Sequence, residues 1–134
     1  MFSHIFVSVG DFDRAFWFYA PLMRSLGVEL RFFERDRPWA GWHCEGGTRP
    51  LFVICHPFDG HPHHPGNGQM VAFLAGSREG VRAAYRTALA HGGMDEGAPA
   101  LRPQYHANYY GAYFRDPDGN KLCVACHNPD SPGG

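Results

Sequence analysis

The sequence contains two copies of one unit, and this internal repeat limits the possible folds more than any other feature. Residues 4–27 align without a gap on residues 70–93. The alignment matches three residues of each copy, pairing Gly10 with Gly76, Tyr19 with Tyr85, and Gly27 with Gly93. The match resumes at the end of each half, where LFVICH (51–56) resembles LCVACH (122–127). Two copies in one chain imply a structure with two-fold internal symmetry.

The length of 134 residues fits one domain, so the two repeats are expected to share a single core. We predict one domain over residues 1–127, made of repeat units at about 1–56 and 68–127. The segment between them, PFDGHPHHPGN (57–67), has three prolines and two glycines, which is typical of an exposed linker without regular structure. Residues 128–134 are predicted to form a disordered tail.

Charge and composition restrict the class of partner. The formal net charge is -1, which gives no electrostatic reason to expect nucleic acid or a membrane surface. The chain has no apolar run of membrane-spanning length, and its N-terminus lacks the features of a signal peptide. We therefore expect a cytoplasmic protein with a small-molecule ligand, and we interpret its four cysteines as reduced thiols.

The periodicity of apolar residues predicts one strand, one helix and three strands in each half. In the first half, Ile5, Val7 and Val9 alternate with His4, Phe6 and Ser8. This period of two residues is typical of a strand with two distinct faces. Asp11 or Asp13 can then cap a helix that ends at Gly27. The three strands predicted to follow it cover residues 28–35, 40–45 and 50–56.

The second half repeats this order. Residues 69–75 are predicted to form a strand, and Ser77 is a good cap for a helix over 78–91. The predicted strands after this helix cover 98–104, 108–115 and 121–126, with DPDGN as a tight turn before the last strand. The pattern therefore predicts an α+β fold of tandem βαβββ repeats.

This organisation, with the stretch YYGAYFRDPDGNKL near the end, resembles the vicinal oxygen chelate superfamily, which includes glyoxalase I, bleomycin-resistance proteins and extradiol dioxygenases. The resemblance runs from His4 to about His127 and is sharpest in HIFVSVGDFDRAFWFY and GAPALRPQYHANYYGAYFRDPDGN, which are similar to the small glyoxalase-like branch. It implies two curved mixed sheets around a shared cavity and a homodimer. It also implies a divalent metal such as Zn, Ni, Fe or Mn in that cavity.

The four metal-ligand positions of the family correspond to His4, Phe52, Met70 and Cys123 in this sequence. Only His4 is a usual ligand for such a metal, because hard or borderline ions bind imidazole nitrogen and carboxylate oxygen. The last strand, KLCVAC, contains no Asp or Glu in any register. We therefore expect a degraded metal site, no tightly held cofactor, and a cavity that binds a small apolar or aromatic molecule.

The alternative is a metal-dependent lyase, isomerase or dioxygenase of the glyoxalase type. Such an enzyme would use His4 together with groups such as Glu45, His56 or Tyr110. A shift of one residue in strand register would also place Gln69 or Leu122 in the cavity in place of Met70 and Cys123.

The residues expected to line the ligand pocket are His4, Phe6, Phe52, Met70, Arg102, Tyr105, Tyr110 and Cys123. Phenol and guanidinium groups among them suit an anionic or hydroxylated ligand. Cys123 is expected beside His4, where it is either a nucleophile with a lowered pKa or an inert buried thiol. The sequence identifies no catalytic residue.

Overall fold

The computed structural model describes residues 1–44 and 46–130. The first repeat contains β1 (His4–Ser8), α1 (Phe12–Ser25), β2 (Val28–Glu34), β3 (Trp39–Cys44) and β4 (Leu51–Cys55). The second contains β5 (Val71–Leu74), α2 (Arg78–Ala90), β6 (Met94–Leu101), β7 (Tyr110–Arg115) and β8 (Lys121–Cys126). This order confirms the predicted α+β fold of tandem βαβββ repeats.

Strand β6 differs most from its predicted bounds, since it begins at Met94 rather than at residue 98. Gly97 has a φ of 158° and interrupts the pairing of β6 with β7, so the strand continues through a bulge. The Asp95 carboxylate accepts a hydrogen bond from the Gly97 amide at 2.8 Å. The glycine and proline of this segment signal a loop in the sequence, but the bulge accommodates them within the sheet.

Side-chain caps begin both helices where the sequence predicts them. Asp11 accepts a hydrogen bond from the Arg14 amide, and Ser77 accepts one from the Gly80 amide, each at 3.0 Å. The buried faces of the two helices pack into one core with the sheets. Neither helix in the described part of the chain has the length and apolar character needed to cross a bilayer.

Each repeat forms one mixed four-stranded sheet. The strand orders are β1-β4-β3-β2 in the first sheet and β5-β8-β7-β6 in the second, with β1–β4 and β5–β8 parallel. Alternate residues along each strand face the helices. Val7 of β1 and its partner Ile54 of β4 are examples, and both lie in the core. The remaining residues face away from the helices, and we call this side of each sheet its open face.

The turn DPDGN joins the two repeats through buried hydrogen bonds. The Tyr19 hydroxyl of α1 donates to the Asp116 carboxylate at 2.5 Å, and both groups are fully buried. The Asn120 side chain donates to the same carboxylate at 2.8 Å and to the Ser8 carbonyl at 2.9 Å. Asp118 accepts a hydrogen bond from the Gly10 amide at 3.0 Å. A turn predicted from its composition alone is therefore the seam between the repeats.

The linker 57–67 forms no helix or strand and is attached to this seam by His63. The Ser8 hydroxyl lies 2.6 Å from His63 Nδ1, and His63 Nε2 donates to the Asp118 carbonyl at 3.2 Å. At the other end of the chain, the Asn128 side chain donates to the Gly76 carbonyl. Residues 131–134, which belong to the tail predicted to be disordered, lie outside the described residues.

Candidate functional site

A cleft of about 690 Å³ lies over the open face of the second sheet, and we call it the second-sheet cleft. The end of the linker forms one wall and the loop between β6 and β7 forms another. Its lining residues are Pro65, Gly66, Asn67, Gly68, Gln69, Met70, Tyr105, His106, Tyr109, Tyr113, Arg115, Lys121 and His127. Its volume is in the range of small-molecule sites.

Backbone hydrogen bonds fold the loop 102–109 over the sheet. The Arg102 amide donates to the Tyr109 carbonyl at 2.8 Å, and the Tyr105 amide donates to the Arg102 carbonyl at 3.0 Å. The rings of Tyr105 and Tyr109 then lie 4.9 Å apart between centroids. The loop therefore places two aromatic side chains, and His106 between them in sequence, at the cleft.

Tyr109 lies directly over a glycine of β7. A Cβ atom added to Gly111 would lie 2.8 Å from Cε1 of Tyr109. The ring can therefore occupy this position only because residue 111 has no side chain. The first repeat has the same arrangement, because a Cβ on Gly41 would overlap the Phe32 ring. The Tyr109 hydroxyl lies 2.9 Å from the Tyr113 hydroxyl and 3.5 Å from Cys123 Sγ. Tyr109, Tyr113 and Cys123 together form the floor of the second-sheet cleft.

The groups of this floor are held in their neutral forms. Burial raises the pKa of Tyr109 above its ordinary value, and the hydrogen bond that its hydroxyl donates to Tyr113 raises it further. Burial also raises the pKa of Tyr113 and of the Cys123 thiol. A thiol with a raised pKa is a poor nucleophile, so Cys123 fits the inert alternative of the two that the sequence left open.

Two histidines form a hydrogen-bonded pair at the edge of the cleft. His106 Nε2 lies 2.8 Å from His127 Nδ1, and the rings stack with centroids 5.0 Å apart. The Asn108 amide donates to His106 Nδ1 at 3.1 Å. Since that nitrogen accepts, neutral His106 carries its proton on Nε2 and donates it to His127. This network assigns the proton of neutral His127 to Nε2.

Three cationic side chains lie on or beside the floor. The Arg102 guanidinium lies 5.0 Å from the Tyr113 ring centroid, and Lys121 Nζ lies 5.7 Å from the same centroid. Arg115 pairs with Glu96 and also donates to the Gly119 carbonyl at 2.8 Å. Among the residues that line the cleft in the described structure, none is Asp or Glu. The cleft therefore presents a positive surface in a chain with nearly balanced charge.

The predicted pocket residues do not all meet in this cleft. Met70 and Tyr105 line it, and Cys123 lies beneath Tyr109. Arg102 lies on the floor, where its guanidinium donates to the Ala98 carbonyl at 2.9 Å and supports the bulge of β6. Phe6 instead lines a second cleft of about 470 Å³, between β1 and β5, to which Met70 also contributes.

Three of the residues expected in the pocket lie away from the second-sheet cleft. Phe52 pairs with Ile5 on the helix side of the first sheet and is only 8% exposed, packed against Tyr19 and Phe73. Tyr110 also faces the helix side, where its hydroxyl accepts a hydrogen bond from Arg82 at 3.2 Å. In both cases side-chain alternation along the strand puts the residue on the face opposite to the one expected.

The third such residue is His4, which lies on the open face of the first sheet. Its Nδ1 is 2.9 Å from the Ser3 hydroxyl, and its ring lies 5.1 Å from that of Phe6. Cys123 lies on β8 of the second sheet, beneath the Tyr109 hydroxyl. The structure thus assigns the two residues to different surfaces.

The side chains do not fit the divalent metal that the family resemblance implies. Phe52 has no donor atom and Met70 offers only a thioether, while His4 and Cys123 lie on strands of different sheets. Across residues 1–44 and 46–130, no three His, Cys, Asp or Glu side chains cluster in a way that would hold a metal. Of the additional donors considered, Tyr110 faces α2 and Glu45 lies outside the described residues.

Sequence reasoning missed the linker residues 65–68 that line the cleft, and it also missed Tyr113, Arg115, Lys121 and His127. The signal for Tyr113, Arg115 and Lys121 was available, since residues 111, 113 and 115 alternate along β7 and Lys121 pairs with Arg115 on β8. His127 was seen only as part of the repeat. Its pairing with His106 depends on the fold of the loop 102–109, for which the sequence has no periodic signal.

Comparisons with known proteins agree with this architecture. The family model described as the Glyoxalase/Bleomycin resistance protein/Dioxygenase superfamily matches residues 1–124. A search among curated proteins finds no match.

Solved structures give a closer comparison. A glyoxalase/bleomycin resistance protein from Albidiferax ferrireducens T118 is 34% identical with a TM-score of 0.81, covering 96% of this chain and 99% of that chain. A family enzyme from Burkholderia phytofirmans PsJN is 17% identical with a TM-score of 0.69, over 94% of this chain and 98% of its own. A lactoylglutathione lyase from Agrobacterium tumefaciens is 21% identical with a TM-score of 0.62, over 94% of this chain and 92% of its own. The last two similarities show the fold alone.

Proposed function

Because the chain belongs to the glyoxalase/bleomycin resistance protein/dioxygenase superfamily, we propose that it binds a small aromatic molecule in the second-sheet cleft without a divalent metal. The observation that carries this function is the set of three phenol rings, Tyr105, Tyr109 and Tyr113, around a cleft of about 690 Å³. Aromatic rings bind aromatic ligands through stacked or edge-to-face contacts. Met70 adds an adaptable apolar wall.

The neutral state of the floor supports binding rather than covalent chemistry. Tyr109 and Tyr113 have raised pKa values, so both phenols remain protonated near neutral pH and act as hydrogen-bonding groups. The Cys123 thiol beneath them has a raised pKa as well. None of these three groups is activated as a base or nucleophile, and a hydroxylated aromatic ligand would find donors and acceptors here.

Ligand-observed NMR with a set of phenols and naphthols tests this function, using protein treated with a chelator. We expect 2-naphthol to bind the unmodified protein and to lose most of its affinity in Tyr105→Ala. The matched control is Trp17→Ala, which removes an exposed aromatic ring from α1, outside the cleft. Equal binding to the unmodified protein and Tyr105→Ala, or a loss of binding only in Trp17→Ala, would contradict the assignment.

A homodimer is part of the same proposal. Two apolar side chains are exposed on the edge strands of the sheets, Phe6 on β1 at 57% and Leu74 on β5 at 73%. Pairing of these edges between two copies would remove both from water. Light scattering on a sizing column should give twice the chain mass, reduced to a single chain by Leu74→Asp. A monomer before mutation would contradict the homodimer.

A cytoplasmic location also belongs to the proposal. All four cysteines, including the exposed Cys44, are free in the structure, which suits a reducing compartment. Fractionation of the cells that produce the protein, with immunodetection, should recover it with cytoplasmic markers. Recovery in an exported fraction would overturn this location.

A further inference from the structure

We infer that the ligand of the second-sheet cleft is an aromatic monoanion and that Lys121 is its charge partner. This inference rests on the proposed function and narrows it from aromatic molecules in general to those with one negative charge. Nothing in the sequence analysis singled out Lys121, although it is the only lysine in the chain. Its position on β8 places its amine beside the tyrosine floor of the cleft.

Lys121 is the cation at the cleft whose charged group has no hydrogen-bond or ion-pair partner in the described part of the chain. The Arg115 guanidinium is neutralised by Glu96, and the Arg102 guanidinium donates to two backbone carbonyls, those of Ala98 and Gly111. In the described part of the chain, no carboxylate lies within ion-pair distance of Lys121 Nζ, and no acidic residue lines the cleft. Arg102 has no carboxylate partner either, but its guanidinium is held by those two carbonyls. Lys121 therefore supplies the one free cationic group, which is complementary to a ligand with a single negative charge.

The polar groups near Lys121 supply hydrogen-bond donors, and none of them carries a negative charge that would compete with an anionic ligand. The hydrogen-bond network assigns a ring N–H to Nε2 of His127, and this N–H has no partner among the described residues. Tyr109 and Tyr113 remain neutral phenols. A carboxylate at the cleft would therefore meet an ammonium group, an imidazole N–H and phenol hydroxyls, while its ring packs against the tyrosines.

The size of the cleft limits the aromatic part. A volume of about 690 Å³ accommodates one or two fused rings with a substituent, and the cleft is open on the solvent side. 2-Naphthoate is thus a suitable probe, and 2-naphthamide is its neutral isostere with the same rings. The difference between the two affinities isolates the effect of the charge.

The single lysine makes the test specific. Reductive methylation with isotope-labelled formaldehyde modifies only Lys121 and the N-terminal amine, and the dimethylated lysine keeps its positive charge. We expect 2-naphthoate to shift the Lys121 methyl resonance and leave that of the exposed N-terminus unchanged. By titration of unmodified protein, 2-naphthoate should bind roughly tenfold or more tightly than 2-naphthamide.

Variants complete the experiment, with folding checked by circular dichroism. Lys121→Met should remove the preference for naphthoate while leaving naphthamide binding unchanged, and Lys121→Arg should retain most of it. Arg86→Met is the matched control, since it removes a cation of α2 that pairs with Glu79 outside the cleft.

The outcomes separate the two levels of the proposal. Equal affinity for naphthoate and naphthamide in the unmodified protein would overturn the anion inference and leave the aromatic-binding function standing. A preference for naphthoate that survives Lys121→Met would overturn the role of Lys121. If neither compound nor 2-naphthol binds, both the inference and the proposed function are wrong.

Discussion

The ring of Tyr109 lies over Gly111, so close that a Cβ atom at residue 111 would be 2.8 Å from Cε1 of the ring. The glycine thus determines where the central tyrosine of the cleft lies, and through it the position of Tyr113 and the cover over Cys123. The equivalent pair in the first repeat is Phe32 over Gly41. The same device therefore covers the open face of both sheets.

Gly111→Ala should displace Tyr109 and weaken the binding of 2-naphthol. We expect a stability loss of about 1–3 kcal/mol, as for other substitutions that overfill a packed site. Urea denaturation and a naphthol titration measure the two effects.

Gly41→Ala is the matched control, because it creates the same overlap with Phe32 away from the second-sheet cleft. It should lower stability and leave naphthol binding intact. Naphthol binding that is unaffected by Gly111→Ala would show that the position of Tyr109 does not matter to the site.

Tyr19→Phe should destabilise the seam between the repeats. The substitution removes the donor to a buried carboxylate, and hydrogen bonds to charged groups contribute about 1.5–3 kcal/mol. Tyr85, its repeat equivalent, donates to Asp95 at an exposed site at 2.9 Å, so Tyr85→Phe should cost less than about 1 kcal/mol. Equal losses of unfolding free energy in the two variants would contradict the role of the seam.

The contribution of Tyr19 to stability should disappear at alkaline pH. Burial, and then the nearby Asp116 charge, raise the pKa of Tyr19 well above its ordinary value. Above about pH 10 the unfolded chain loses the phenol proton that the folded chain keeps, so the unfolded state binds fewer protons and stability falls as the pH rises.

The difference in unfolding free energy between the unmodified protein and Tyr19→Phe should therefore narrow above pH 10. Urea denaturation at several pH values between 8 and 11 measures this difference. A constant or widening difference would be inconsistent with a raised pKa for Tyr19.

His63→Ala should release the linker from the seam. The variant loses contacts of the imidazole with Ser8 and with the Asp118 carbonyl, which join the linker to both repeats. We expect faster amide hydrogen exchange in residues 57–67 and faster cleavage by proteinase K. His61→Ala is the control, since His61 contacts Asp59 within its own loop. If both variants exchange at the same rate, His63 does not hold the linker.

The sequence was sufficient to predict the elements, because alternation, helix caps and turn residues are local signals. Asp11, one of the two predicted caps, starts α1, Ser77 starts α2 as predicted, and DPDGN is the turn before β8. These features depend on a few neighbouring residues. Because of the internal repeat, the pattern of each element occurs twice in the sequence.

The faces of the strands were harder to predict than the strands themselves. Phe52 was assigned to the cavity, but its pairing with Ile5 turns it to the helix side. A strand has a period of two, so an error of one residue reverses the face of every side chain. Register depends on contacts between β1 and β4, which are far apart in sequence and leave no local signal.

The cleft itself depends on tertiary contacts. Its walls come from the linker and from the loop 102–109, whose folds follow from hydrogen bonds such as that between His106 and His127. Composition indicated only that these segments lack regular structure. The tyrosines were noted as possible ligand contacts, and the structure separates Tyr105 at the cleft from Tyr110 at the helix.

The most direct test of the account is the affinity of 2-naphthol for the protein before and after removal of metal by EDTA and dialysis. Because the proposed binding site is built from tyrosines and the donor set does not fit a divalent metal, we predict the same affinity in both samples and in His4→Ala. The account would be contradicted by binding that disappears with the metal, returns when Zn, Ni, Fe or Mn is added, and is absent in His4→Ala.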